Sequence, residues 1–520
     1  MTKQQYLYFT VFSSGMTVLA IELSASRLLG SVFGTSNLVW ANIIGLMLVY
    51  LTLGYFIGGR WADRSPNHKT LYQIICWGAF FSGIVPLVAR PVLYAAAQAV
   101  YEINAGVAIG SFLGVLLLFS VPVTLLGCVS PFTIRLAITD VSKAGQISGF
   151  IYAISTLGSI IGTFAPTLFL IPEAGVTWTF LLFSGWLLGV GLIGLLWIDR
   201  RTARNMLWMP IVLVILAVVF LSLPRRPIPE GYQLLYEKES AYNYIQIVED
   251  ENQYRYLWLN EGQGIHTQYH PDILYYGRTW DMFLAAPYFN PGFQPEEVNS
   301  LVIIGLAGGT IARQHTAVYG QIPIDGIEID GAIVDASRKY LEMDMPNLNV
   351  IVEDGRYAFN RLAGPYTVVG IDAYRVPYVP WQLTTVEFFE EIADRLEDNG
   401  VVVINVGRTT SDRRLEWAMA NTMLQVFPSV HRIDVPDSLN TILVATRQPT
   451  TAANLIENFQ ALNRNTHPLL WQVLNDAVAN LKETETSDVI FTDDRAPVET
   501  IVDDMTIEFF LSGEVDSLAP

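Results

Sequence analysis

Cysteine is nearly missing from this chain of 520 residues: Cys76 and Cys128 are the only two, and both lie inside apolar segments. That excludes a disulfide framework and any cysteine-built metal site, and no metal is expected. Beyond residue 224 there is no cysteine, so cysteine usage assigns no compartment. Basic residues are scarce in the same region. Residues 1–224 hold 11 Lys+Arg and 6 Asp+Glu, a net of +5, whereas the remainder holds 20 and 43, a net of −23. So acidic a second part speaks against nucleic-acid binding, which depends on Lys and Arg neutralising phosphates. It is compatible with cationic substrates, although acidity is also ordinary solubilising charge. A cleavable leader is not expected, because the first apolar segment is long and lacks a basic n-region and a small-residue cleavage site.

Apolar residues dominate the first part. The length alone implies two or three domains. Seven segments are long enough to span a bilayer, at about 6–29, 37–58, 71–95, 107–134, 147–171, 177–198 and 206–223. Arg90-Pro91 in the third and Pro122 and Pro131 in the fourth predict kinks. The GxxxG spacings Gly54/Gly58 and Gly158/Gly162 suit close helix contacts in lipid. Lys and Arg follow segments two, four and six, which makes the N-terminus cytoplasmic by charge bias. Seven crossings then carry the rest outside the cytoplasm. Glu22 and Arg27 mark either a polar pathway or a structural pair. Gly58 to Arg64, GGRWADR, resembles the loop between the second and third helices of major-facilitator transporters. The membrane part could therefore anchor or transport.

The expected layout is a helical transmembrane domain at 1–224, a linker at 225–231, a small β-domain at 232–298, a Rossmann-like domain at 299–450 and a helical and irregular extension at 451–520. Tyr242–Glu249 and Tyr254–Asn260 read as strands, and 272–286 as a helix. Buried-strand patterns at 301–304, 324–328, 349–352, 367–371 and 400–406 alternate with helical patterns, which predicts a parallel sheet covered on both faces. Two short strands at 431–436 and 440–446 would close it as an antiparallel pair, in place of a second nucleotide-binding half.

The stretch Leu301–Asp330 carries the most chemistry. A buried strand runs into a turn with Gly305, Gly308 and Gly309, then a helix, then a strand ending on Glu328, 23 residues past Gly305. That is the layout of a nucleoside-binding βαβ unit, with the acid placed for ribose hydroxyls. A plain parallel-sheet turn without ligand is the other reading. Ligands of such sheets sit beyond the strands' carboxyl ends, and the next two strands end near Asp354-Gly355 and on Asp372. Asp354 could accept from an adenine amino group, and Asp372 would stand over the reacting centre.

GLAGG, IEID, EDG and the Ile371-Asp372 pair resemble, in order and spacing, the spermidine synthase (polyamine aminopropyltransferase) family. EKESAYNYIQI and LNEG resemble its small N-terminal β-domain. VSPFTIRLA at 129–137, YAISTLGSIIGT at 152–163, DAYRVPYVPWQLTT at 372–385 and TDDRAPVE at 492–499 resemble its membrane-fused bacterial branch. The resemblance implies a multi-pass cell-membrane enzyme that moves an aminopropyl group from decarboxylated S-adenosylmethionine, a co-substrate, to putrescine or a related polyamine. It implies Asp372 as the catalytic base, Gly305, Gly308, Gly309, Glu328, Asp354 and Gly355 around the donor, and Asp281, Tyr374 and Gln268 toward the acceptor. Small-molecule amine, lipid bilayer and a second copy of the chain are the partners it implies.

There are departures. The donor-binding Asp of the family's glycine turn is Gly308 here, and the second acid of its catalytic loop is lost in Asp372-Ala-Tyr-Arg-Val-Pro. Two other functions stay open: a methyltransferase using intact S-adenosylmethionine, and a polyamine transporter or sensor whose nucleoside-binding domain does no chemistry.

Overall fold

Long apolar runs become long helices, in which each backbone N–H and C=O is satisfied within its own segment. In the computed structural model the described residues are 2–33, 36–102, 106–222, 228–260, 264–374, 378–463 and 466–511. Residues 225–227 of the expected linker, Glu261-Gly262 of LNEG and Arg375-Val376-Pro377 of the loop after Asp372 lie outside them. Two compact units result, residues 1–227 with 239–241 and residues 228–238 with 242–520.

The first unit holds α1 (Lys3–Phe33), α2 (Asn37–Arg64), α3 (His68–Glu102), α4 (Gly106–Gly127), α5 (Val129–Ala137), α6 (Ala144–Ala165), α7 (Ile171–Ile198), α8 (Arg200–Met206) and α9 (Trp208–Ser222). Among the described residues six stretches are long and apolar enough to cross a membrane, against the seven expected. The difference lies in one stretch, Val141–Ile198, which is 58 residues long. At 1.5 Å per residue that is about 87 Å of helix for a hydrocarbon core of about 30 Å. A π-turn at Pro166–Leu170 and a non-helical Gly175 (φ 84°, ψ 172°) interrupt it, so it holds chain enough for two crossings. α3 runs through Pro86 and Pro91, and α4 runs through Pro122 and stops at Gly127. Leu48, Phe56, Leu117, Phe150, Phe169, Leu182 and Val214 stand exposed, as lipid-facing side chains would.

Both GxxxG pairs are contact points. A Cβ on Gly158 or Gly162 would fall onto the carbonyl oxygens of Phe12 and Met16 of α1, and one on Gly58 would lie 2.6 Å from the Cα of Cys128. Small residues let these backbones approach closely. Gly162→Leu should therefore destabilise the first unit by about 1–3 kcal/mol, seen as a lower melting temperature in detergent. Gly45→Leu, where no atom lies within 4 Å, should not. Equal melting of the two variants would refute the packing.

The second unit opens with a four-stranded sheet in chain order: β1 (Tyr232–Glu239), β2 (Tyr244–Asp250), β3 (Arg255–Leu259) and β4 (Ile265–Tyr269). The expected helix at 272–286 is shorter. Gly277, at φ 64°, breaks it, and only α10 (Thr279–Met282) and a 3-10 turn at Phe283–Phe289 form. An eight-stranded sheet follows, of β5 (Leu301–Ile304), β6 (Ile324–Glu328), β7 (Leu348–Val352), β8 (Tyr366–Ile371), β9 (Leu396–Gly407), β10 (Ser429–Asp434), β11 (Asn440–Thr446) and β12 (Leu481–Lys482). Its order is β12-β10-β11-β9-β8-β5-β6-β7. β7, β6, β5, β8 and β9 are parallel, and β11, β10 and β12 are antiparallel, which is the expected ending.

Helices cover both faces: α11 (Thr310–Tyr319), α12 (Gly331–Tyr340), α13 (Gly355–Phe359), α14 (Val386–Ala393), α15 (Arg414–Leu424), α16 (Ala452–Ala461), α17 (Pro468–Ala479) and α18 (Val498–Leu511). Successive side chains of a buried strand point to opposite faces. Thus Leu301 and Ile303 join the core under α16 and α17, whereas Val302 and Ile304 join the core under α14 and α15. The small sheet buries Ile245, Ile247, Leu257 and Leu259 against Ile333, Ala336 and Leu341 of α12 and its C-terminal end. Val498–Leu511, in the part expected to be irregular, folds instead into the 14-residue α18.

Candidate active site

Strand order reverses between β5 and β8, and a crevice opens at such a switch point beyond the strands' carboxyl ends. Gly305 ends β5 with φ 92°, a conformation that side chains resist. A Cβ there would also lie 2.6 Å from the carbonyl oxygen of Asp372 and the nitrogen of Ala373. Glycine at 305 therefore lets the loop carrying Asp372 come directly beside the turn. The Asp372 N–H completes the junction by donating to Ile304 O at 2.9 Å.

A cavity of about 440 Å³ opens here. Asp372, Tyr374 and Ala307 line it from the sheet, Gly264–His266 from β4 and its approach, Trp280 from α10, and Asn405, Ser438 and Asn440 from the ends of β9 and β11. Asp372 is held in it. Asn405 Nδ2 donates to its Oδ1 at 2.8 Å, the Trp280 ring N–H donates as well, and Asn440 Nδ2 fixes Asn405 by donating to its Oδ1 at 2.9 Å. Burial outweighs these donors and pushes the Asp372 carboxyl up to about 7. The Tyr374 hydroxyl donates to Asn405 O at 3.0 Å. Burial holds the His266 ring neutral, at about 4. Arg408 also lines the cavity, with its guanidinium spent on Thr441 Oγ1, Thr409 O and Ser438 O.

The glycine turn stands beside this cavity. Its N–H groups are already used: Ala307 donates to Glu328 Oε2 (2.9 Å), Gly308 to Thr267 Oγ1 (2.7 Å) and Gly309 to Leu306 O (2.9 Å). Glu328, 7% exposed, also accepts from Asp330 N at 3.0 Å, and burial raises its carboxyl to about 7. Thr267 presses so closely on Gly308 that a side chain there would collide with it. Asp354 caps α13 by accepting from Tyr357 N at 3.1 Å, and neither it nor Gly355 reaches the cavity wall.

Two residues expected toward the acceptor also stand off the cavity. Asp281 is fully buried and accepts from the N–H groups of Tyr276 and Arg278 and from Gln314 Nε2, which binds the 270s loop to α11. Its neighbour Trp280 lines the cavity instead. Gln268 Oε1 accepts from Arg278 Nε at 3.1 Å. Asn405, Asn440 and the α18 side chains were not singled out from sequence as site residues. For Asn405 a signal exists, an amide at the end of the apolar run VVVINVG. For α18 there is none. Among the described residues no cluster of three or more His, Cys, Asp or Glu is placed to hold a metal ion.

Residues 290–445 match the family described as the spermine/spermidine synthase domain. Those residues are a spermine/spermidine synthase domain. A probable polyamine aminopropyl transferase of Bifidobacterium longum is 30% identical over 284 residues, 52% of this chain, and the match spans 62% of that relative's length. The polyamine aminopropyltransferase of Vibrio vulnificus is 28% identical over 41% of this chain and 71% of its own. A probable spermidine synthase structure from Corynebacterium glutamicum aligns with 51% of this chain and 99% of its own, at 19% identity and a TM-score of 0.38. The helical first unit lies outside the synthase-domain match.

Glu328→Ala leaves the N–H groups of Ala307 and Asp330 without their acceptor. Each buried donor so orphaned costs about 1–3 kcal/mol. The variant should melt several degrees lower and lose nucleoside affinity, whereas Asp354→Ala should lose only the cap of α13, about 1 kcal/mol. Thermal unfolding with and without methylthioadenosine reads both; unchanged melting of Glu328→Ala would remove that residue from the turn's support.

Proposed function

We propose that this chain is a membrane-embedded aminopropyltransferase. It would take the aminopropyl group of decarboxylated S-adenosylmethionine onto an amine acceptor of the polyamine class, with putrescine the simplest case. The observation that carries the reading is Asp372, a carboxylate in the cavity at the switch point of a synthase-family sheet, with its pKa raised to about 7. An amine attacks only when neutral, yet a free alkylammonium has a pKa of about 10. A base near neutrality suits the task better than an ordinary aspartate at about 3.9.

In the proposed step the amine nitrogen forms a bond to the aminopropyl carbon next to sulfur. The carbon–sulfur bond breaks, its electron pair neutralises the sulfonium, and methylthioadenosine leaves. The nitrogen passes its extra proton to Asp372. Both reactants are cations, and Glu328 and Asp372 are the acids on either side of the glycine turn. Positioning of donor and amine in line supplies the rest of the rate. The first 222 residues would lie in the bilayer and resist carbonate extraction.

Asp372→Asn should cut kcat/KM by about 10²–10⁴-fold with little change in methylthioadenosine affinity. In the wild type, Asp372 is a carboxylate able to take a proton only above its folded pKa, so kcat/KM should rise with pH through about 7 rather than about 4. Product formation unaffected by the substitution would sink the assignment. Donor choice is read by calorimetry: tight binding of intact S-adenosylmethionine with none of the decarboxylated form would make the domain a methyltransferase, a reading Gly308 keeps alive.

A further inference from the structure

The synthase-family match ends at residue 445, yet Val502, Met505, Thr506 and Phe509 of α18 line the cavity that holds Asp372. Their spacing puts them on one face of the helix. Val502 and Met505 are 6% and 4% exposed and belong to the core that contains Ile371, Ile404 and Leu415. The helix is tied down at two further points. The Tyr378 hydroxyl donates to Asp503 Oδ1 at 2.5 Å, and Arg414 pairs with Glu508 at 2.9 Å. Tyr378 belongs to the segment that continues from Asp372, so α18 is bound to the loop that carries the proposed base.

The cavity is two-sided in chemistry. Asp372, Tyr374, Asn405 and Asn440 supply polar atoms, and Leu415, Leu439, Val502, Met505 and Phe509 supply an apolar wall. An amine that reacts at Asp372 must lay its carbon chain along the remaining lining. We propose that α18 is the specificity wall for the acceptor. Met505 and Phe509 set the length and girth of the hydrocarbon chain behind the reacting nitrogen, and the acceptor class is an amine with a short, unbranched apolar chain. The inference rests on the aminopropyl-transfer reading for the reaction, but the wall can be tested by binding alone.

The full chain, in detergent and saturated with methylthioadenosine, is titrated calorimetrically with 1,4-diaminobutane and with straight-chain primary amines from propylamine to octylamine. Transfer from decarboxylated S-adenosylmethionine is measured on the same amines. Met505→Ala and Phe509→Ala should move the best-bound chain to greater length, each newly accommodated methylene gaining about fourfold in affinity. Phe509→Trp should move it to shorter chains, and Met505→Leu should keep the wild-type profile. Unchanged methylthioadenosine affinity identifies variants that remain folded. A length profile within twofold of wild type in Met505→Ala, Phe509→Ala and Phe509→Trp overturns the wall and leaves the transfer reading intact. Wild-type protein that binds none of these amines also overturns it. A shifted profile without any aminopropyl product supports the wall and overturns the transfer reading.

Discussion

The backbone of Gly305 lies against the backbone of Asp372, and the site depends on that contact. A Cβ at 305 would sit 2.6 Å from two atoms of the neighbouring loop. Either the loop would retreat or the turn would open, and the φ of 92° would be strained as well. The contact follows from strand order. β5 and β8 are paired neighbours although residues 305–365 lie between them, so their ends meet where the sheet changes direction. Whatever binds at the turn is held next to whatever Asp372 contacts. In a two-substrate reaction that adjacency converts an encounter into a positioned attack.

The environment of Asp372 sets its chemistry by competition. Asn405 and Trp280 donate to the carboxylate and favour its charged form, while burial opposes it and prevails. Folding therefore carries a cost there. A carboxyl whose folded pKa lies above its unfolded value loses stabilisation as pH rises through the interval between them, here about 4 to about 7. A cation bound beside Asp372 would reverse that cost by supplying the missing opposite charge. Ligand-free protein should accordingly gain most from cationic ligands above pH 7, where the carboxylate is unpaired.

The strands and the acids at their ends were legible in the sequence because each depends on near neighbours. Apolar runs such as LVII and VVVINVG announce buried strands, and a glycine cluster between two of them announces a turn. What a side chain does once there was less legible. Asp281 was expected toward the acceptor, but the helix begins only at Thr279, after Gly277, and the carboxylate serves as a buried loop anchor. Asp354 stands at its strand end as expected, yet its nearest use is local, as a helix cap. α18 was illegible for another reason. Its contribution exists through contacts with α15 and Tyr378, about a hundred residues earlier, and no local pattern encodes a wall made at that distance.

The glycine turn also differs physically from the phosphate cradles it resembles in outline. Those loops present free backbone N–H groups to an anion. Here the N–H groups of Ala307, Gly308 and Gly309 are consumed by Glu328, Thr267 and Leu306, and a buried carboxyl stands behind them. An anion approaching Ala307, Gly308 and Gly309 would find their N–H groups already spent. A cation would be welcomed, and a neutral ribose could use the carboxylate's remaining lone pairs. On the proposed reading, the glycines that suggest a dinucleotide loop would suit a positively charged nucleoside better than an anion, because their donors are consumed within the protein.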